Sequence, residues 1–304
     1  MTIAGTEFTL RGAAYIALTL TALFWAGNTI AGKLAVGHVT PLTLVAIRWV
    51  IAFAIIIAIG LPQIRKDWPQ IRRHLPLLLA LGFAGFALFN ILFYTSLQYT
   101  TAINVAIVQS AMPLIVFAAN FALFGQHVTA GQIVGFALTA VGVALTVTRG
   151  DLSTLATLAL NRGDLLMLLA TAFYGGYTVA LRYKPPLHWK SLMAAMAAGA
   201  LIASVPAGLW ELAAGGGQWP DLQGFLATLY TAIFPSILAQ VFYMRGIDLI
   251  GPNRAGLFIN LVPIFSAVLS VTLLGETFHL YHAAALALVI GGIAFAERSG
   301  QNAR

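Results

Sequence analysis

Arg48 poses the sharpest chemical question in this sequence. It stands seven residues after Pro41 inside a long apolar run, about 10 Å along a helix. Charge in hydrocarbon is costly, so a guanidinium there needs a partner or a task. Two readings stay open. Arginine can clamp a carboxylate with two parallel hydrogen bonds, or it can join a buried pair or snorkel to the interface. Glu276, at the end of a later run, is a candidate partner for it. Five amides, Asn28, Asn90, Gln109, Gln240 and Asn260, also lie within apolar runs. Amides can hold a zwitterion or tie neighbouring helices together. Trp25, Tyr94, Tyr174, Tyr177 and Tyr243 are candidates to line a cavity, against the ordinary alternative of packing or interface roles. Gly27, Gly175 and Gly176 permit a close helix approach or a bend. Pro113, Pro235 and Pro263 each remove a helical hydrogen bond and offer hinges for gating. Membrane helices also tolerate such prolines without function.

The missing chemistry is informative too. There is no GxxxxGK[ST] loop, HExxH or GxSxG, and there is no cysteine. Nothing therefore points to an enzyme, to ATP, to a cofactor or to a bound metal. His74, His127, His188, His279 and His282 fall near the ends of runs and read as interfacial. No Asp or Glu falls deep within a run, so no proton relay is visible. The net charge is +7, but no basic stretch carries interleaved aromatics, which argues against nucleic acid. The expected partners are a small-molecule substrate and the lipid bilayer. A monomer is expected, with a dimer left open.

These residues must be positioned by helices in lipid. Sixty per cent of the 304 residues are hydrophobic and 8% are charged, against roughly 25% charged in soluble domains. Ten apolar runs reach spanning length, at 12–34, 41–60, 75–96, 101–123, 130–149, 163–182, 189–210, 222–244, 252–274 and 279–297. They do not alternate as barrel strands would, so helices are expected. The run from Gly12 is too long for a signal peptide and reads as a retained first helix. With the N-terminus cytoplasmic, Lys33, Arg149 and Arg162 fall on the far side and Arg48 within a span. The other Lys and Arg residues fall on the near side. That bias predicts an inner-membrane protein with both termini cytoplasmic.

The sequence also aligns with itself. At an offset of 150, Asn90 meets Gln240, Phe93 meets Tyr243, Pro113 meets Pro263, and Gly125-Gln126 meets Gly275-Glu276. At an offset of 149, the stretch from Trp25 to Thr29 meets that from Tyr174 to Thr178. Two five-helix halves, 1–149 and 150–304, are thus expected. Five is odd, so the halves would insert in opposite senses, a pattern of secondary transporters.

The FWAGN stretch at Phe24 to Asn28, Pro41 followed by Arg48, the mid-helix prolines and Gly275-Glu276 resemble the drug/metabolite transporter superfamily, EamA type. The resemblance covers nearly the whole chain and looks most like the aromatic amino-acid exporter group. It implies an all-α membrane protein of ten helices, two inverted repeats around a central cavity. It implies export of amino acids, aromatic and apolar ones such as Met or Thr foremost. The chain departs from its own pattern at Gln126, where the second half keeps Glu276. Rival readings are an exporter of another metabolite or drug, a membrane-embedded enzyme, and a membrane scaffold. The enzyme lacks a reactive cluster, and the scaffold would lack a hollow.

Overall fold

The computed structural model of the chain describes residues 3–125, 129–151, 161–250, 255 and 258–301. Most of the described residues are helical. We number the helices α1 (Ile3–Leu34), α2 (Pro41–Arg73), α3 (Leu75–Ser96), α4 (Ala102–Phe124), α5 (Ala130–Val147), α6 (Arg162–Ala180), α7 (Trp189–Ala213), α8 (Leu222–Ile250), α9 (Leu261–Leu274) and α10 (Leu280–Gln301). Seven of these, α1 to α4 and α6 to α8, are long and apolar enough to cross a membrane. The remaining three belong to shorter apolar helices, Ala130–Thr146, Phe258–Leu274 and Leu280–Ala296.

Several boundaries differ from the sequence reading. Pro62 and Pro69 were expected in a connection, yet α2 runs through both for 33 residues. That is about 50 Å, well beyond a hydrocarbon core of about 30 Å. Both prolines are exposed, so the carbonyls they free can meet polar surroundings. The span at 101–123 is in two pieces, broken at Ser110 and Ala111, with Pro113 in the first turn of the second piece. A 3-10 turn, Phe258–Asn260, precedes α9, and Pro263 is buried in its first turn. Two helices loosen to a π-helical turn, α3 at Phe83–Leu88 and α8 at Phe234–Leu238, where Pro235 is the second residue. The repeat-related Gln126 lies outside the described residues.

Small residues let the helices touch backbone to backbone. α2 packs on α7, α3 on α7 and α6, and α5 on α10. A Cβ on Gly82 would stand 1.8 Å from the Met196 carbonyl, and one on Gly199 would stand 2.3 Å from that of Leu79. Gly135 and Gly292 face each other reciprocally, each within 2.5 Å of the other's carbonyl if given a Cβ. The Gly131–Gly135 pair is thus a seam within the chain, with Gly131 set against Ser299.

Polar groups knit the helix ends. At the end of the bundle away from the chain termini, Lys33 Nζ donates to the Leu97 and Thr100 carbonyls at 2.8 and 2.6 Å. Glu276 accepts from the N–H groups of Ala102 and Ile103, satisfying the start of α4. It therefore caps a helix rather than pairing with Arg48. Glu211 does the same for α2 through Thr43 N–H at 2.9 Å. Asp221 caps α8 through Gly224 N–H and meets the His38 ring at 2.7 Å. Those two contacts, the backbone one foremost, hold its carboxyl below the usual carboxylate range.

Gly292→Val fills a space that backbone already occupies. It should cost about 1–3 kcal/mol of stability, read as a lowered midpoint in thermal unfolding of purified protein. An unchanged midpoint would show that the α5–α10 seam is not tight.

Candidate functional site

Arg48 is the centre of a buried polar cluster. Its side chain is 5% exposed. Nε donates to Ser236 Oγ at 2.9 Å. Nη1 meets Asn90 Oδ1 at 2.9 Å, Asn28 Oδ1 at 3.2 Å and the Tyr94 hydroxyl. The Tyr94 hydroxyl in turn donates to Asn28 Oδ1 at 2.8 Å. The guanidinium also lies 5.5 Å from the Trp49 ring and 5.6 Å from that of Tyr94, distances suited to cation–π attraction. Four helices, α1, α2, α3 and α8, thus converge on one cation.

Each acceptor is aimed by its own backbone. Pro235 lacks the N–H that would bond the Thr231 carbonyl four residues back. Ser236 Oγ donates to that carbonyl at 2.8 Å instead, which turns its lone pairs toward Arg48. In α3, Asn90 Nδ2 donates to the Phe86 carbonyl in the π-helical turn. That bond fixes the amide with its oxygen toward the guanidinium. Trp49 Nε1 shares the same carbonyl at 3.2 Å, and its ring stacks on Phe86 at 4.6 Å. Both π-helical turns therefore serve the cluster.

All the acceptors are neutral. Among the described residues, no carboxylate lies within ion-pairing distance of Arg48. Nη2 of Arg48 and Nδ2 of Asn28 have no hydrogen-bond partner among those residues. Two donor groups on neighbouring side chains are thus available to an acceptor from outside the protein. A carboxylate, with two oxygens, matches that pair.

An aromatic cluster adjoins the polar one. Tyr174 stands 4.7 Å from Phe89 and 5.1 Å from Tyr177, and Tyr177 stands 6.0 Å from Phe86. Tyr174 lies within electrostatic range of Arg48. Trp25 pairs with Tyr243 at 5.4 Å rather than with Tyr174, the residue to which the repeat relates it.

The structure thus brings Asn28, Arg48, Asn90 and Tyr94 into direct contact, with Tyr174 and Tyr177 beside them. It does not bring Gln109, Gln240 or Asn260 to Arg48; all three are half-buried and bond to none of the cluster. Gly27 admits the Tyr230 hydroxyl, which a Cβ would meet at 2.1 Å. Gly175 packs on Ile115, while Gly176 faces open space. Ser236 was missed by the sequence reading, though the Pro235-Ser236 pair was its signal. Two apolar grooves are present. One, about 460 Å³, lies between α3 and α6 and includes Ala80, Gly176 and Tyr177. The other, about 860 Å³, lies between α1, α8 and α9 and includes Gly27 and Tyr230. Arg48 lines neither of them; its partners close directly around it.

Residues 12–148 and, again, 161–297 match the EamA-like transporter family. The chain belongs to that family. It is similar to a Bacillus subtilis protein called uncharacterized transporter YyaM, with 26% identity over 297 residues and 92% of each chain covered. A second Bacillus subtilis relative, uncharacterized transporter YetK, is 24% identical over 282 residues, covering 92% of this chain and 85% of its own. An uncharacterized transporter of Archaeoglobus fulgidus is 26% identical over 288 residues, covering 92% and 95%. A solved crystal structure matches 97% of this chain and 99% of its own, with a TM-score of 0.64 and 20% identity, a likeness of fold alone. EamA-like membership makes the chain an integral membrane protein of a small-molecule transporter family rather than an enzyme.

Within this EamA-like chain, Ser236→Ala would leave both the Thr231 carbonyl and Arg48 Nε without a partner. The expected loss is about 1–3 kcal/mol, measured by denaturant unfolding in detergent. Ser236→Thr, which keeps the hydroxyl, should recover most of it. Equal losses in both variants would show that the hydroxyl is not what matters.

Proposed function

We propose that the chain exports amino acids, aromatic and other apolar ones such as Met or Thr foremost, by alternating access. The observation that carries this reading is a buried guanidinium held only by neutral acceptors beside an aromatic cluster. Arg48 and Asn28 would take the substrate carboxylate. Tyr174, Tyr177 and the phenylalanines around them would take an apolar side chain, with Trp25 and Tyr243 forming a second aromatic pair. A cationic drug is disfavoured, because the cluster offers it a positive charge and no carboxylate. A small anionic metabolite is the second reading, supported by the same guanidinium; the aromatic cluster favours the amino acid.

We further infer ten spans in two inverted five-helix repeats, residues 1–149 and 150–304, with both termini cytoplasmic. Several observations support this. The family matches twice in tandem. The π-helical turns in α3 and α8, and the left-handed glycines 125 and 275 ending α4 and α9, recur near the repeat offset. The two apolar grooves are also related by it: Ala80 and Gly176 in one correspond to Tyr230 and Gly27 in the other. Opposite insertion would turn these grooves toward opposite leaflets and let the halves exchange conformations. The Arg48 cluster would part when substrate arrives, its carboxylate accepting from Arg48 Nη2 and Asn28 Nδ2.

Purified protein in liposomes should move labelled Phe, Trp, Met or Thr above the rate of empty liposomes. Trp25→Ala and Asn28→Ala should each lower that flux, the latter by about tenfold, the size of one lost charge-assisted hydrogen bond. Failure to move any amino acid would overturn the substrate assignment. Unaltered flux in both variants would move the binding site elsewhere.

A further inference from the structure

A second polar cluster lies at the end of the bundle away from the chain termini. Asp164, the third residue of α6, has no exposed surface. Around it are Thr100 at 4%, Asn104 at 1% and His282 at 1% exposure, from the turn before α4, from α4 and from α10. Both Asp164 and His282 lie in the first turns of their helices, near the ends of apolar runs, and both are buried there.

The direction of every hydrogen bond in this cluster can be assigned. His279 N–H donates to His282 Nδ1 at 3.0 Å, so Nδ1 is bare and the ring proton sits on Nε2. Nε2–H then donates to Asn104 Oδ1 at 3.2 Å. That leaves Asn104 Nδ2 to donate, to Thr100 Oγ1 at 3.3 Å and to Asp164 Oδ1 at 3.4 Å. Thr100 Oγ1–H also donates to Asp164 Oδ1, at 2.6 Å. Every donor ends on Oδ1. Among the described residues, Oδ2 is buried and has no hydrogen-bond partner.

An ionised carboxylate sealed in this way, with one oxygen bare, would be strongly unfavourable. No cation sits close enough to pay for it by pairing. The charged and titratable groups nearby are Arg149 after α5, Tyr281 and His279 on the α10 side, and Lys33 and Glu276 beyond Thr100. Among the described residues none forms an ion pair with Asp164. A proton on Oδ2 removes the charge without moving an atom.

We propose that Asp164 is a proton-binding site which takes up a proton as this end of the bundle closes and releases it as the end opens. Parting α6 from the turn at 96–100 would bring Oδ2 to water and stabilise its ionised form. That movement cannot be local. A Cβ on Gly163 would stand 2.7 Å from the Ser96 carbonyl, so the start of α6 is seated on the turn. Tyr174 and Tyr177 ride on the same helix, about 15–20 Å further along. Proton release and movement of the aromatic cluster would therefore be linked, making transport sensitive to a pH gradient. This last step rests on the transport reading above; the proton site itself does not.

Infrared spectroscopy of the purified protein tests the site without any substrate. Wild type at about pH 7 should show a protonated-carboxyl band, outside the range of ordinary exposed carboxyls. Asp164→Asn should lose it, and Glu276→Gln should keep it. Thr100→Val should shift it to higher frequency, since the carbonyl loses its shortest hydrogen bond; this arm stands even if Asp164→Asn does not fold. Replacing sodium by choline should leave the band unaltered. Absence of the band, its indifference to Thr100→Val, or its loss on adding sodium would overturn the proposal, the last in favour of a sodium site. In liposomes, a pH gradient should drive amino-acid accumulation in wild type and not in Asp164→Asn. If no amino acid moves while the band behaves as described, the transport reading fails and the proton site stands.

Discussion

A positive charge sealed among apolar helices is the constraint on which the rest of this structure depends. Arg48 has no carboxylate beside it among the described residues, so neutral oxygens must hold it. That requirement reaches into the backbone. The acceptor for Nε is a side-chain hydroxyl, and an irregular backbone turn aims it. Pro235 frees a carbonyl, Ser236 spans it, and the serine oxygen turns to the guanidinium. Asn90 is oriented by a carbonyl in the π-helical turn of α3. Irregular backbone within a span is tolerated where it lies inside protein, and here it lies beside the arginine.

Neutral acceptors and carboxylates have different consequences. A buried carboxylate would neutralise Arg48 and leave little for a ligand. Asn, Tyr and Ser accept from Nε and Nη1 while leaving its charge in place. The chain spends its carboxylates elsewhere, at helix ends. Glu211, Glu276 and Asp221 each accept from backbone N–H groups at a helix start, where the helix dipole favours them. Among the described residues, Asp164 alone among the carboxylates is sealed in with one oxygen bare. Central cation and peripheral acids thus form two separate systems, joined by α6 and α3.

Much of this was legible in the sequence because polar residues in apolar runs stand out. Arg48, Asn28 and Asn90 stand out for that reason, and they form the cluster together with Tyr94, a candidate for its ring. The fourfold contact was not legible, since helical spacing says nothing about which helices face each other. Ser236 escaped because serine is ordinary in membrane helices and its role depends on the proline before it. The role of Glu276 stays open in the sequence because a carboxylate near a span end can serve an arginine or a helix start, and the fold makes it a cap. Asp164 and His282 lie in first turns, where helical position along the sequence gives no sign that neighbouring elements cover them. The extent of α2 is not legible because the apolar run ends at 60, while the helix continues through the exposed Pro62 and Pro69.

The claim that matters most is that Arg48 keeps its charge for a carboxylate. Calorimetric titration of the detergent-solubilised protein with phenylalanine and with phenethylamine, which lacks only that group, tests it most directly. The account predicts that phenylalanine binds, that phenethylamine binds at least about tenfold more weakly, and that Arg48→Met loses the distinction. Equal affinity for the two ligands in the wild type would contradict it.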